Sequence, residues 1–233
     1  MLLVVATKLE LQVLLERLKT VSKVPATIGN FSYFSATIGN TQTYVVKSQM
    51  GQGGVGGSVL TLEEAIRVLK PDYVIMGGIA WGGNKEKQNI GDVIISTQVW
   101  DYDNARVNPD GSKIYRAPIY PASARLLQMF DVVCADSKIS IANSGLVASG
   151  SNLLDNVNYV DDLRNEHPEI IGGDMESAGM AVVCNRENVD WIMVKGICDW
   201  GYEKNNKDKK THQELAASNA MDTIVLLLKQ FSS

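Results

Sequence analysis

Short uninterrupted apolar runs alternate along this chain with longer segments whose apolar positions recur at helical spacing. Leu2 to Ala6 is continuously apolar, as a strand buried on both faces should be. Behind it Leu11, Leu14, Leu15 and Leu18 fall at i, i+3, i+4 and i+7, one stripe of an amphipathic helix. Ala36 to Ser48 reads as a hairpin turning at Gly39-Asn40. A glycine-rich stretch, Gly51 to Gly57, leads into a predicted helix over Ser58 to Leu69, which Lys70-Pro71-Asp72 ends because proline cannot continue it. Tyr73 to Ile79 and Asp92 to Val99 read as strands, and the polar stretch Asp101 to Pro121 as a long loop. Ser123 can cap a helix carrying Leu126, Leu127 and Phe130. Leu146 to Ala148 reads as a short strand before the turn-rich Ser149-Gly150-Ser151-Asn152. Ser177 to Arg186 then looks helical, Trp191 to Cys198 extended, and Leu215 to Phe231 helical again. With no repeat, linker or low-complexity segment, the alternation predicts an α/β sandwich around a largely buried central sheet, in one domain over 1–233.

Composition narrows the function classes. At 233 residues and 45% hydrophobic, one large α/β domain fits better than two ordinary ones. A net charge of −4 provides no electrostatic footprint for a nucleic-acid polymer. The aliphatic run Ile224 to Leu228 falls far short of the ~20 residues that span a bilayer. The first residues lack the basic segment of a signal peptide and are interrupted by Lys8 and Glu10. Cys134, Cys184 and Cys198 have neither paired nor metal-type spacing and read as buried, inert thiols. A soluble, cytoplasmic protein without membrane contact is expected.

Three acidic positions could carry chemistry. Glu10 follows the first strand, where ligands gather in open α/β sheets, although a first-turn carboxylate also complements a helix dipole. In Gly172-Gly173-Asp174-Met175-Glu176-Ser177, Asp174 and Glu176 share a face if the segment is extended. A carboxylate there can accept hydrogen bonds from vicinal hydroxyls, or simply cap the next helix. Asp199 ends a buried strand among apolar neighbours that would raise its pKa toward that of a general acid; an ordinary turn aspartate is the alternative. The glycine clusters Gly51 to Gly57 and Gly77 to Gly83 allow close backbone approach to a ligand, but the lysine of a phosphate loop is missing. His167 and His212 stand alone, with no metal or hydrolase motif around them. Glu203 to Lys210, with four lysines and two acids, reads as a solvated loop, or else as a lid over an anionic group.

Gly173-Asp174-Met175-Glu176, Ile197-Cys198-Asp199 and the Ala6–Glu10 spacing, taken in order, resemble motifs of the purine nucleoside phosphorylase/nucleosidase superfamily. The methylthioadenosine/S-adenosylhomocysteine nucleosidases are the most similar branch, and the resemblance runs over nearly the whole chain. It implies a three-layer sandwich with a mixed central sheet, and scission of a purine–ribose bond through an oxocarbenium-like transition state. By that resemblance Asp199 is the acid that protonates N7 of the base, and Glu10 positions and deprotonates water. Glu176 accepts the ribose hydroxyls with Met175 against the sugar. Asn152, Leu153 and Leu154 hold the base, while Met50, Gly51 and Ile79 border the sugar and water pocket. Cys198 stands where the family has serine, Lys195 where it has arginine and Ser151 where it has a base-loop aspartate, while Ile79 and Trp81 replace small residues.

The reaction implied is hydrolysis of adenosine-type nucleosides with release of adenine. Phosphorolysis, cleavage of adenine nucleotides and a non-catalytic nucleoside-binding module are the alternatives. Arg116, Lys85 or the Lys204 to Lys210 loop are candidates to meet a 5′-phosphate. No metal or organic cofactor is implied. The expected partners are a small nucleoside or nucleotide and further copies of the chain, as a homodimer or higher homo-oligomer, with the Asp101 to Pro121 loop contributing.

Overall fold

The computed structural model describes residues 1–233 apart from 19–20, 23, 30, 39, 136–140, 206 and 231–233. The predicted turn residue Gly39, the side chain of Cys134 and the expected helix end Phe231 lie outside that description. In chain order the elements are β1 (Leu2–Val5), α1 (Lys8–Arg17), β2 (Ala26–Ile28), β3 (Phe31–Ile38), β4 (Thr41–Lys47), α2 (Ser58–Leu69), β5 (Tyr73–Gly82) and β6 (Val93–Asp101). Then come β7 (Ala105–Val107), β8 (Lys113–Tyr115), β9 (Ile119–Pro121), α3 (Ala124–Ala135), β10 (Ile141–Ser149) and α4 (Val157–Glu166). β11 (Ile170–Asp174), α5 (Ser177–Glu187), β12 (Asp190–Asp199) and α6 (Lys209–Gln230) complete the chain.

The main sheet runs β11-β10-β6-β12-β5-β1-β4-β3-β2 and is mixed. β1 lies parallel to β4 and β5, and β5 parallel to β12, whereas β12 runs antiparallel to β6. β11 returns to pair antiparallel with the end of β5, Gly172 opposite Gly82 and Gly173 opposite Trp81. Strands β5, β12, β6, β10 and β11 therefore close a ring. The aliphatic runs of β1, β5 and β12 supply buried residues of the core, Leu2, Val4, Ile75, Ile192 and Val194 among them. Helices α1, α3 and α6 pack together, and α2 packs on α5. Alternate β12 residues separate these layers: Lys195 meets carboxylates at the start of α5, while Gly196 lies against the backbone of Ala216 in α6. Parallel β1, β4, β5 and β12 all end on one side, where the candidate residues gather.

The pattern-based elements hold where a full apolar period exists. α2 occupies the predicted span, and Lys70 closes it in the left-handed region (φ 46°) ahead of Pro71. Ser123 caps α3, its Oγ accepting the Leu126 N–H at 3.4 Å. The Ala36–Ser48 hairpin is present but begins earlier, at Phe31, and a further antiparallel strand, β2, borders it. Asp101 to Pro121 is not a bare loop: it holds the β7–β8 hairpin and β9, which pairs with β6. β10 has nine residues rather than three. α6 begins at Lys209, so the last two lysines of the expected loop are helical.

Candidate active site

Glu10 is placed by the junction of β1 and α1. Thr7 is the N-cap, its Oγ1 accepting the Glu10 N–H at 3.2 Å, while Glu10 Oε2 accepts the N–H of Thr7 at 2.7 Å and of Ala6 at 2.9 Å. This is a capping box, in which the cap and the third helical residue satisfy each other's orphan donors. The other oxygen, Oε1, accepts the Ile79 N–H of β5 at 2.9 Å. The carboxylate is 1% exposed, and β5 reaches it only because Gly78 has no side chain: a Cβ there would run into Oε1. Helix capping and a place at the strand ends, alternatives in the sequence, are thus both fulfilled by one side chain.

Glu176 lies at the mouth of α5. Its Oε1 accepts the Gly51 N–H at 3.0 Å, and its Oε2 the ammonium of Lys195 at 2.8 Å. The same ammonium meets Asp174 Oδ2 at 2.7 Å, so Asp174 and Glu176 do converge, on a cation from β12. All three groups are buried. Burial pushes the Glu176 carboxyl above its ordinary range, and Lys195 only partly offsets this while Asp174 adds to it. For Asp174 burial acts in the same sense, but Lys195 and the Ser177 hydrogen bonds outweigh it and hold the carboxyl low. Burial alone would depress the ammonium; Asp174, Glu176 and Glu10 reverse that and keep Lys195 charged.

Asp199 differs from expectation. Its surroundings are polar, not apolar: Oδ1 accepts the Gly201 N–H at 2.8 Å, and Oδ2 receives the Cys198 thiol at 3.3 Å and faces Lys204 Nζ at 3.3 Å. The Lys204 side chain is only 13% exposed, so this lysine is no part of a solvated loop. The partner Lys204 comes from a loop whose course the sequence does not give.

Glu10, Glu176 and Asp199 border one cavity of about 130 Å³, together with Met50, Ile79, Met175, Asn152, Leu153, Leu154 and Lys204. Gly51 contributes its N–H to Glu176 rather than a wall. Lys85 and Arg116, candidates for a phosphate, do not line it, and Ser151 hydrogen-bonds Asp103 instead. A larger groove of about 680 Å³ runs past Phe34, Val55, Leu60, Glu63, Glu64 and Arg67, and none of Glu10, Glu176 and Asp199 lines it. The three candidate carboxylates gather at the smaller cavity. Cys184 and Cys198 are buried, and burial pushes both thiols up. His167 packs on Trp100, and no group of metal-ligating side chains exists among the described residues. Among the described residues no helix is long and apolar enough to cross a membrane.

Sequence reasoning gave Lys195 no catalytic or binding part, and offered Lys204 only within a loop that could meet a 5′-phosphate or cover an anionic group. For Lys195 a signal existed, since a lysine within the apolar run Ile192 to Cys198 demands buried partners.

The family model of the phosphorylase superfamily matches residues 1–229. This chain belongs to the phosphorylase superfamily. Within it, the chain is 27% identical over 228 residues to a 5′-methylthioadenosine/S-adenosylhomocysteine nucleosidase of Anoxybacillus flavithermus, covering 96% of each. It is 28% identical over 209 residues, 88% of each chain, to the enzyme of that name from Haemophilus ducreyi. Among superfamily structures, the Neisseria meningitidis nucleosidase in complex with methylthio-immucillin-A superposes with a TM-score of 0.84 at 21% identity, covering 98% of both chains. Futalosine hydrolase of Helicobacter pylori gives 0.85 at 21% identity over 98% of this chain and 97% of its own. The nucleoside phosphorylase-like sandwich is therefore the fold of this protein.

Proposed function

We propose that this protein hydrolyses the N-glycosidic bond of adenosine-type nucleosides and releases adenine. The observation that carries the reading is the convergence of Glu10, Glu176 and Asp199 on one cavity, where Lys204 of the lining faces Asp199 and the buried Lys195 holds Glu176 from behind. The curated nucleosidases similar over most of the chain support the same reaction.

Acceptor positions support the roles. A carboxylate offers about four lone-pair sites, two on each oxygen. On Glu176 one N–H and one ammonium leave one site on each oxygen, which matches the two hydroxyls of a ribose. On Glu10, Oε2 already holds two donors while Oε1 holds one, leaving a single site for a water. That water attacks C1′ and gives its proton to Glu10 as the C1′–N9 bond breaks. Asp199 delivers a proton to N7 of the departing purine. Met175 packs on the sugar, and the backbone of Leu153 and Leu154 reads the base. The buried carboxylates stabilise the cationic sugar most strongly where water is excluded.

Phosphorolysis would need cations free to hold phosphate. Among the described residues no arginine lines the cavity, Lys195 is held between Asp174 and Glu176, and Lys204 lies beside Asp199 rather than at the ribose end. Adenine release from adenosine or methylthioadenosine should therefore proceed equally with and without phosphate; ribose 1-phosphate among the products would overturn hydrolysis. Asp199→Asn should cut kcat roughly 10²- to 10⁴-fold while substrate still binds. Normal turnover in that variant would remove the proposed acid.

We read residues 1–233 as one domain, supported by a sheet drawing strands from Leu2 to Asp199 and by α6 packing back on β5 and β12. A homodimer or higher homo-oligomer is the proposed working form. Exposed Met50 and Leu153 at the cavity, with Val55 and Leu60 in the adjoining groove, support a covered face.

A further inference from the structure

We propose that Lys204 reads position 6 of the purine and opens this site to 6-oxopurine nucleosides of the inosine type. The inference rests on the nucleosidase reading of the cavity and deepens it.

Lys204 stands at the base end of the site. Its own N–H donates to Asp155 Oδ1 at 3.1 Å, and the Asn156 N–H donates to Gly201 O at 3.0 Å. The turn that bears Lys204 is thereby tied to the chain immediately after Leu153 and Leu154. Glu176, at the ribose end, is held by Gly51 and Lys195 instead. With Nζ 3.3 Å from Asp199 Oδ2, the ammonium lies on the same edge of a bound base as the proton-donating carboxyl.

On that edge N7 and the 6-substituent are neighbours. A 6-oxopurine presents two acceptors there, and a 6-aminopurine an acceptor and a donor. Asp199 Oδ1 carries one N–H and has a site left to hold the proton destined for N7. Its Oδ2 is filled by the Cys198 thiol and Lys204, so no open acceptor remains for a 6-amino group. An ammonium has three donors and no acceptor. A 6-oxo oxygen beside N7 therefore meets a matching donor in Lys204. A 6-amino group must displace something from Oδ2, and the thiol, a weak donor, is what it displaces. Both base types fit, and the lysine serves the oxo type.

The test compares adenosine, inosine and their 5′-monophosphates as substrates for the wild-type protein, Lys204→Met and Lys204→Gln, with thermal melts to confirm folding. Hypoxanthine release from inosine is expected alongside adenine release from adenosine. In Lys204→Met, kcat/KM for inosine should fall about 10- to 100-fold further than for adenosine, the scale of one lost charge-assisted hydrogen bond. Lys204→Gln should recover part of that difference, because its amide still donates. Adenine release without hypoxanthine release from the wild type would overturn the proposal and leave the nucleosidase reading standing. An equal loss on both bases, or a loss confined to the monophosphates, would overturn it too. No base release from any of the four substrates would remove both readings together.

Discussion

A lysine enclosed on all sides is retained only where anions replace its water. Lys195 has Asp174 at 2.7 Å and Glu176 at 2.8 Å, with Glu10 adding its field. Its removal leaves two carboxyls buried side by side with no countercharge. Lys195→Met should therefore cost about 3–5 kcal/mol in denaturant unfolding. The pH dependence has a definite sign. The Glu176 carboxyl lies above its ordinary range, so it ionises at higher pH than a free glutamate, and ribose recognition is lost as pH falls through that raised value. The acid limb of kcat/KM belongs there, and without Lys195 it should move to still higher pH; a limb that moves down or stays would contradict the assignment. At this scale the sequence was partly legible. Glu10, Glu176 and Asp199 stand out by motif, and all three border one cavity. Their pairing was not legible, because each cation reaches its acid through tertiary placement: Lys195 from β12, which does not pair with β11, and Lys204 from a loop.

Among the elements, α1 joins stability to the site. The capping box that starts it uses Glu10 as its third residue, so the helix and the proposed water site share one carboxylate. Thr7→Ala should lower stability by about 1 kcal/mol in thermal unfolding. Turnover should fall with it, since Glu10 loses the partner that fixes its backbone; full activity in a destabilised variant would separate the two roles. Helices with a complete apolar stripe, such as α2, are readable from the chain alone. α4 is not: among Val157 to Glu166 only Val160 and Leu163 are buried, and the remainder reads as polar loop. β11 is hidden for another reason. Gly172 and Gly173 carry no side chains to show a strand period, and they lie between β10 and β5, where neighbouring backbone and the Trp81 ring approach closely. β7, β8 and β9 have three residues each, too few for any periodicity, and hydrogen bonds to their partner strands define them.

For the molecule as a whole, one sheet brings residues from positions 10, 176 and 199 to the same side, and a ring closed between β11 and β5 keeps them there. The distance along the chain explains why such a site is assembled late in any reading of the sequence: its geometry resides in the strand order. The bare contact between Gly196 and Ala216 has a consequence for that geometry. Helix α6 rests there main chain on main chain, one residue past Lys195 and three short of Asp199. A single methyl inserted at 196 has nowhere to go without prying α6 away from the strand, a distortion of the kind that costs about 1–3 kcal/mol. Gly196→Ala should thus depress melting temperature and kcat in step, although position 196 faces away from the substrate. The back of the molecule would then act as a fulcrum for the front, and random mutagenesis selected for lost turnover should return hits along α6 as readily as in the cleft itself.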